Sequence, residues 1–363
     1  MTFDVYAVFG EKIKNQILDY LPSEFKDAEV KVAPVKKNNG TLLYGLNIVK
    51  PEENISPTIY LDKYFAEWGG NLKSMDDILK DIARIRTFYD KNYEFDTSLV
   101  TDFSKAKDHI ICRLVNQEYN EHMLPDVPHT TLEDLAVTYH ICVSLEDSES
   151  GTVLINNQIF EKFGISVEEL HELAVSNMEK LFPLEVISMG VLLKDIMKNQ
   201  MLEKGMDDVE ADAMINDMMP ELNHDAGMHI VTNEQRMYGA TAFLYPGVKE
   251  MLTEQMGGDY YVLPSSLHEL ILIKKDEEHT VEELQAMVKD VNDTQVDMEE
   301  VLSDHVYVYD AKERVFSRAD KEPEREEKRN MSFQEKLKEK KAESKAMEST
   351  GIKSDKKKRE ECL

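Results

Sequence analysis

Cysteine is scarce: the chain has three, Cys112, Cys142 and Cys362, and no two stand close together. An odd, scattered set cannot supply a disulfide framework, which points to a reducing, cytoplasmic setting. No stretch approaches the ~18 uninterrupted apolar residues that a membrane helix needs, so a spanning protein is not expected. The first residues, Met1-Thr2-Phe3-Asp4, are acidic where a secretory leader is basic, and the chain reads as starting without a signal. Also missing are an HExxH pair, any CxxC and a phosphate-cradling glycine loop. Gly69-Gly70 and Gly257-Gly258 read as helix-ending or turn glycines, so no cofactor is expected. The single tryptophan, Trp68, and the dispersed tyrosines form no platform for stacking nucleic-acid bases.

Positive charge is the other shortage, with 43 Lys and Arg against 71 Asp and Glu and a net charge of −28. The segment from Arg318 to Leu363 holds 15 basic and 12 acidic residues, which leaves 28 basic and 59 acidic ahead of it, a net of −31. Such a body repels phosphate backbones and anionic membranes, so neither direct nucleic-acid binding by the core nor membrane association is expected. The expected partner is another protein, basic in character. An acidic imitation of nucleic acid is a special case of that reading, and plain solubility accounts for the same charge without any partner.

A hydrophobic content of 42% is enough for a sizeable core. Phe9, Ile13, Ile17 and Leu21 repeat every four residues, one face of a helix over Val5 to Leu21. Ala28 to Val35 and Leu42 to Val49 alternate in polarity around Lys37-Asn38-Asn39-Gly40, a strong hairpin signal because asparagine and glycine tolerate the positive φ of a tight turn. A capped helix over Ser74 to Asn92 should bury Ile78, Leu79, Ile82, Ile85 and Tyr89. Ile110 to Val115 and Leu135 to Leu145 read as buried strands, the second pairing with Thr152 to Ile155 across a turn at Ser148–Gly151. Ser166 with Glu169, and Thr280 with Glu283, have the spacing of capping boxes; the second helix should turn Leu284, Met287, Val288 and Val291 inward. Glu185 to Leu202 is expected as helix, followed by an acidic stretch, Met201 to Ala226, with five methionines.

From His229 the pattern reads β-β-α-β-β-α-β, with strands at Met228–Thr232, Ala240–Tyr245, Tyr260–Leu263, Glu269–Ile273 and Val306–Val308 and a helix at Gly247–Gln255. The expected class is α+β, with mixed or antiparallel sheets covered by helices. The expected units are an N-terminal helix, hairpin and helices over 1–125, an α/β segment over 126–226, the strand-rich segment over 227–317, and a disordered charged tail over 318–363.

Two segments carry residue types suited to chemistry. Ser265, Ser266, His268 and Glu269 lie between two expected strands, where a hydroxyl near an imidazole and a carboxylate suits a hydrolase. The competing explanation is a turn whose serines bind their own backbone. His224, Asp225 and His229 are metal-binding types, but ligands at i and i+5 do not share a helix face, so a polar loop is the plainer reading. His171-Glu172 reads as surface, and His140 with Cys142 as core packing. No coherent catalytic set emerges, and the leading expectation is a non-enzymatic interaction protein.

Several stretches resemble a bacterial family, domain of unknown function fifty-six eighty-eight. They are VKKNNGTLLYGLNI with ISPTIYLDKYF, LINNQIFEKFGISVEELHELAVSNMEKLFP, MYGATAFLYPGVKEML, YYVLPSSLHELILI and NDTQVDMEEVLSDHVYVYD. The resemblance covers most of residues 1–317, and the 201–226 stretch and the tail look peculiar to this chain. It implies a Firmicutes host and a gene near mobile elements, and it brings no catalytic residues.

Overall fold

The strand order places three antiparallel sheets along the chain, each with helices against it, an α+β architecture. The computed structural model describes residues 2–325 and 327, apart from 52, 54, 55, 93–96, 147–148, 220–226 and 277. Among these, no helix is long and apolar enough to cross a membrane.

The first sheet has the order β1 (Glu29–Lys36), β2 (Leu42–Val49), β3 (Thr58–Tyr60), and helices α1 (Thr2–Gln16), α2 (Asp62–Gly69) and α3 (Met75–Asn92) close on it. Phe9, Ile13 and Ile17 enter its core with Leu46, Ile48, Ile78, Leu79 and Ile82, as the four-residue spacing requires. The hairpin turn holds Asn39 at φ 57° and Gly40 at φ 70°, the left-handed region that the Asn-Gly pair selects. Its tip also reaches far along the chain. Asn39 Nδ2 donates to the carbonyls of Met298 (2.8 Å) and Val301 (2.6 Å), and Asn38 Nδ2 donates to that of Glu299 (2.7 Å). Asn120 completes the contact, accepting from the Asn39 N–H at 3.0 Å and donating to Asn39 Oδ1 at 2.9 Å.

The short helix α4 (Phe103–Ala106) leads into the second sheet, built around β6 (Leu135–Glu146). Strand β4 (Ile110–Asn116) pairs with one edge, while β5 (His129–Leu132) and β7 (Glu149–Leu154) follow one another along the other. Glu146 pairs with Glu149, so Ser150 and Gly151 of the expected Ser148–Gly151 turn belong to the strand, and Ser148 lies outside the described residues. Helices α5 (Asn157–Phe163) and α6 (Val167–Leu181) follow, and α6 opens on the Ser166/Glu169 capping box with both reciprocal bonds formed.

The third sheet holds six strands: β8 (Leu184–Ser188), β9 (Met228–Asn233), β10 (Tyr260–Pro264), β11 (Leu270–Lys274), β12 (Tyr307–Asp310) and β13 (Val315–Arg318). They lie in the order β13-β12-β10-β11-β9-β8, all antiparallel. Tyr260, Val262, Leu270, Leu272, Tyr307 and Tyr309 face a core shared with the second sheet and α6, while Tyr261, Leu263, Ile273 and Val308 face Leu284 and Val288. Those two residues belong to α10 (Val281–Thr294), whose Thr280/Glu283 capping box also forms, and burial on both faces explains the unalternating YYVLP run.

Three expectations need correction. Leu184–Ser188 is an edge strand on β9 and not the start of a helix; α7 (Met189–Glu203) begins after it, and α8 (Asp208–Met218) follows. Ala240–Tyr245 is not a strand: Gly239–Leu244 forms a buried 3-10 turn before α9 (Val248–Met256), because the chain enters it through left-handed Tyr238 and has no strand beside it. Met287 is 52% exposed and not part of the inward face of α10. The body also runs past Arg318: Ala319 is buried, Lys275 pairs with Glu322 at 2.7 Å, and Arg325 reaches Ser317 Oγ at 2.9 Å. The disorder expected beyond residue 327 lies outside the described residues.

Candidate functional site

The β10–β11 turn holds its own hydroxyls. Ser265 Oγ donates to Glu269 Oε1 at 3.1 Å, and Ser266 Oγ accepts from the His268 N–H at 3.0 Å. The imidazole looks elsewhere: its Nδ1 accepts from the Tyr238 N–H at 3.2 Å, so the ring proton sits on Nε2, 3.4 Å from Glu300 Oε1. A serine nucleophile needs its hydroxyl on the base. Here Ser265 is brought to Glu269 and Ser266 to the main chain of His268, and neither hydroxyl is bonded to the imidazole.

What gathers around His268 comes from distant segments. The Tyr238 ring stacks on the imidazole, 5.7 Å between centres with planes 27° apart, and the Arg113 guanidinium carbon lies 3.6 Å from the centre of the same tyrosine ring. Tyr238 sits at φ 53°, a left-handed conformation that is an outlier for a bulky residue and marks a constrained position. Gly239 makes this path possible, since a Cβ there would stand 2.2 Å from Thr232 Oγ1 and 2.3 Å from the His268 carbonyl oxygen. Glu300 is brought in by the 298–301 segment to which Asn39 is bonded, and its own carbonyl accepts from the Leu267 N–H at 2.9 Å. Sequence patterns single out neither Arg113, Tyr238 nor Glu300; the hint available was the unusual Tyr-Gly pair ahead of ATAFLY.

Below Arg113, the second sheet carries a polar row. Thr138 Oγ1 and His140 Nε2 lie 3.2 Å apart, and Arg113 Nη2 donates to Thr152 Oγ1 at 2.7 Å. Burial first, and Arg113 second, hold the His140 pKa well below the ordinary 6.5. A histidine with a lowered folded-state pKa is protonated first in the unfolded chain, so stability falls as pH drops below 6.5 and is unaffected above it. His171, lowered mainly by burial, adds to the same loss. Urea unfolding from roughly pH 5 to 7.5 should show up to about 1.4 kcal/mol lost per pH unit for each such group. His140→Gln should flatten that slope, and an unchanged slope would discount His140 as its source.

Of the metal-type residues, His224 and Asp225 lie outside the described residues. His229 is buried inside β9, between Ser188 on β8 and Leu272 on β11. Among the described residues no three potential ligands stand together.

A second feature stands outside the cores. Helices α7 and α8 form a hairpin braced by Lys198, which lies 3.0 Å from Asp208 and 2.8 Å from Asp212. Gly190 is the buried residue of α7, and Ala211 and Ile215 are those of α8. Val191, Leu193, Ile196, Val209, Met214 and Met218 are exposed by 39–76%. Residues 189–219 contain seven methionines, seven acidic residues and three lysines.

A family of unknown function, DUF5688, matches residues 6–311, a span that encloses the 201–226 stretch and stops short of the tail. No curated protein and no solved structure matches the chain.

Proposed function

The chain belongs to DUF5688, a family of unknown function that passes on no activity, and from its own surface we propose that it is a protein-interaction module whose α7–α8 hairpin receives a basic amphipathic helix of a partner protein. The observation that carries this reading is six apolar side chains left exposed on that hairpin, in a stretch with seven acidic residues. Exposed apolar patches ringed by polar groups mark interaction sites, and flexible methionines adapt to the side chains of a docking helix. The charge selects the partner: seven acidic residues against three lysines attract a cationic face, and the −31 body repels a phosphate backbone. Cys112 and Cys142 are both buried, away from any oxidising surface chemistry, and the partnership is placed in a reducing cytoplasm.

The test is direct. A fluorescent Leu/Lys amphipathic peptide should bind the full chain with a Kd of roughly micromolar order and weaken with salt, while its Leu/Glu counterpart should not bind. Ile196→Ser with Met214→Ser should weaken binding at least about tenfold, the loss of two buried apolar side chains. Equal binding of both peptides, or of neither, overturns the reading. Concentration-dependent dimerisation that the double variant abolishes would replace the foreign helix by a second copy.

A further inference from the structure

Arg113 is an exception among the arginines of this protein. The other six in the described residues, Arg84, Arg86, Arg236, Arg314, Arg318 and Arg325, each have a carboxylate within ion-pair distance. Among the described residues Arg113 has none, in a body that carries 59 carboxylates ahead of Arg318. Its partners are the Thr152 hydroxyl and the Tyr238 ring, and its Nε–H is enclosed without an acceptor. Drawing a guanidinium even partly out of water without a counterion is costly, and an enclosed donor is completed by a water, an ion or a ligand. The surroundings are not sealed: Arg113, Thr152 and Tyr238 are half-buried, and the His268 side chain is 30% exposed. The ring that supports the guanidinium is held in left-handed backbone, a strain found where a fold presents a group for use.

We propose that Arg113, braced by Tyr238 and Thr152, is the counterion of a binding site for the carboxylate of a small organic acid. One guanidinium supplies one positive charge and a planar pair of donors, the match for a monoanionic carboxylate. A phosphate dianion would need further cations. The nearest imidazole, His140, supplies none, because burial and Arg113 itself hold it neutral. The site is separate from the α7–α8 surface and stands or falls independently of it.

The probe is acetate. In the 15N-labelled full chain, the Arg113 Nε–H resonance, identified by its absence from Arg113→Lys, should move saturably with sodium acetate in the millimolar range. It should stay still in sodium chloride of equal ionic strength. Thr152→Val, which removes the Nη2 acceptor and keeps the guanidinium, should displace the same resonance, so the assignment does not depend on one variant. A resonance that follows ionic strength alone, or never saturates, overturns the site. Saturation by inorganic phosphate at lower concentration than by acetate overturns the carboxylate.

Discussion

Gly239→Ala should destabilise the protein by about 3 kcal/mol or more, the upper end of what overpacking costs. The added methyl would meet Thr232 Oγ1 at 2.2 Å, the His268 carbonyl at 2.3 Å and Thr232 Cα at 2.9 Å, two of them backbone atoms. None of these yields easily. Thr232 is 1% exposed in β9, flanked by β8 and β11, and its hydroxyl donates to that same His268 carbonyl at 2.8 Å. The 3-10 turn must therefore lift away and carry Tyr238 off His268 and Arg113. Gly69→Ala is the control, because nothing lies within 4 Å of a Cβ there and the helix should gain slightly. Urea unfolding of both variants decides it; a Gly239→Ala midpoint close to the parent's would mean the turn is slack.

Asn39→Ala is expected to cost about 3 kcal/mol, from three sources. Alanine is strained at φ 57°, two bonds to the Met298 and Val301 carbonyls vanish, and Asn120 loses the acceptor for its amide at 2.9 Å. Asn39→Gly separates these, since glycine accepts the backbone and lacks the bonds, so it should recover about 1 kcal/mol of the loss. A local readout exists as well. The Leu267 N–H donates to the Glu300 carbonyl, so its hydrogen exchange should quicken in both variants if the asparagine tip steadies the 298–301 segment. Unchanged exchange at Leu267 would separate the hairpin from the His268 site.

How much of this is legible in the sequence follows from how local each signal is. The two capping boxes and the Asn-Gly turn are decided within a few residues, and they form as read. Leu184–Ser188 has apolar spacing that runs smoothly into α7, and it becomes a strand because β9 offers it an edge, which its own residues do not announce. ATAFLY has strand-like composition, yet Gly239 packs beneath Thr232 and His268 and leaves the segment no neighbour to pair with. The serine turn was correctly placed between two strands. The partners of His268 could not be read, because Tyr238 and Glu300 come from other loops and Arg113 from another sheet.

The asparagine tip also has a consequence for how the chain is made. The buried residues around Phe9, Ile48 and Ile82 all lie within the first 86 residues, so this core can begin to assemble while the remainder is still being synthesised. The carbonyls that Asn38 and Asn39 need belong to residues 298–301. At roughly 5 to 20 residues per second, the tip waits on the order of ten to forty seconds with its amides bound to water. A nascent chain stalled before that point would keep the hairpin tip bare and polar, because the carbonyls that it binds are not yet made.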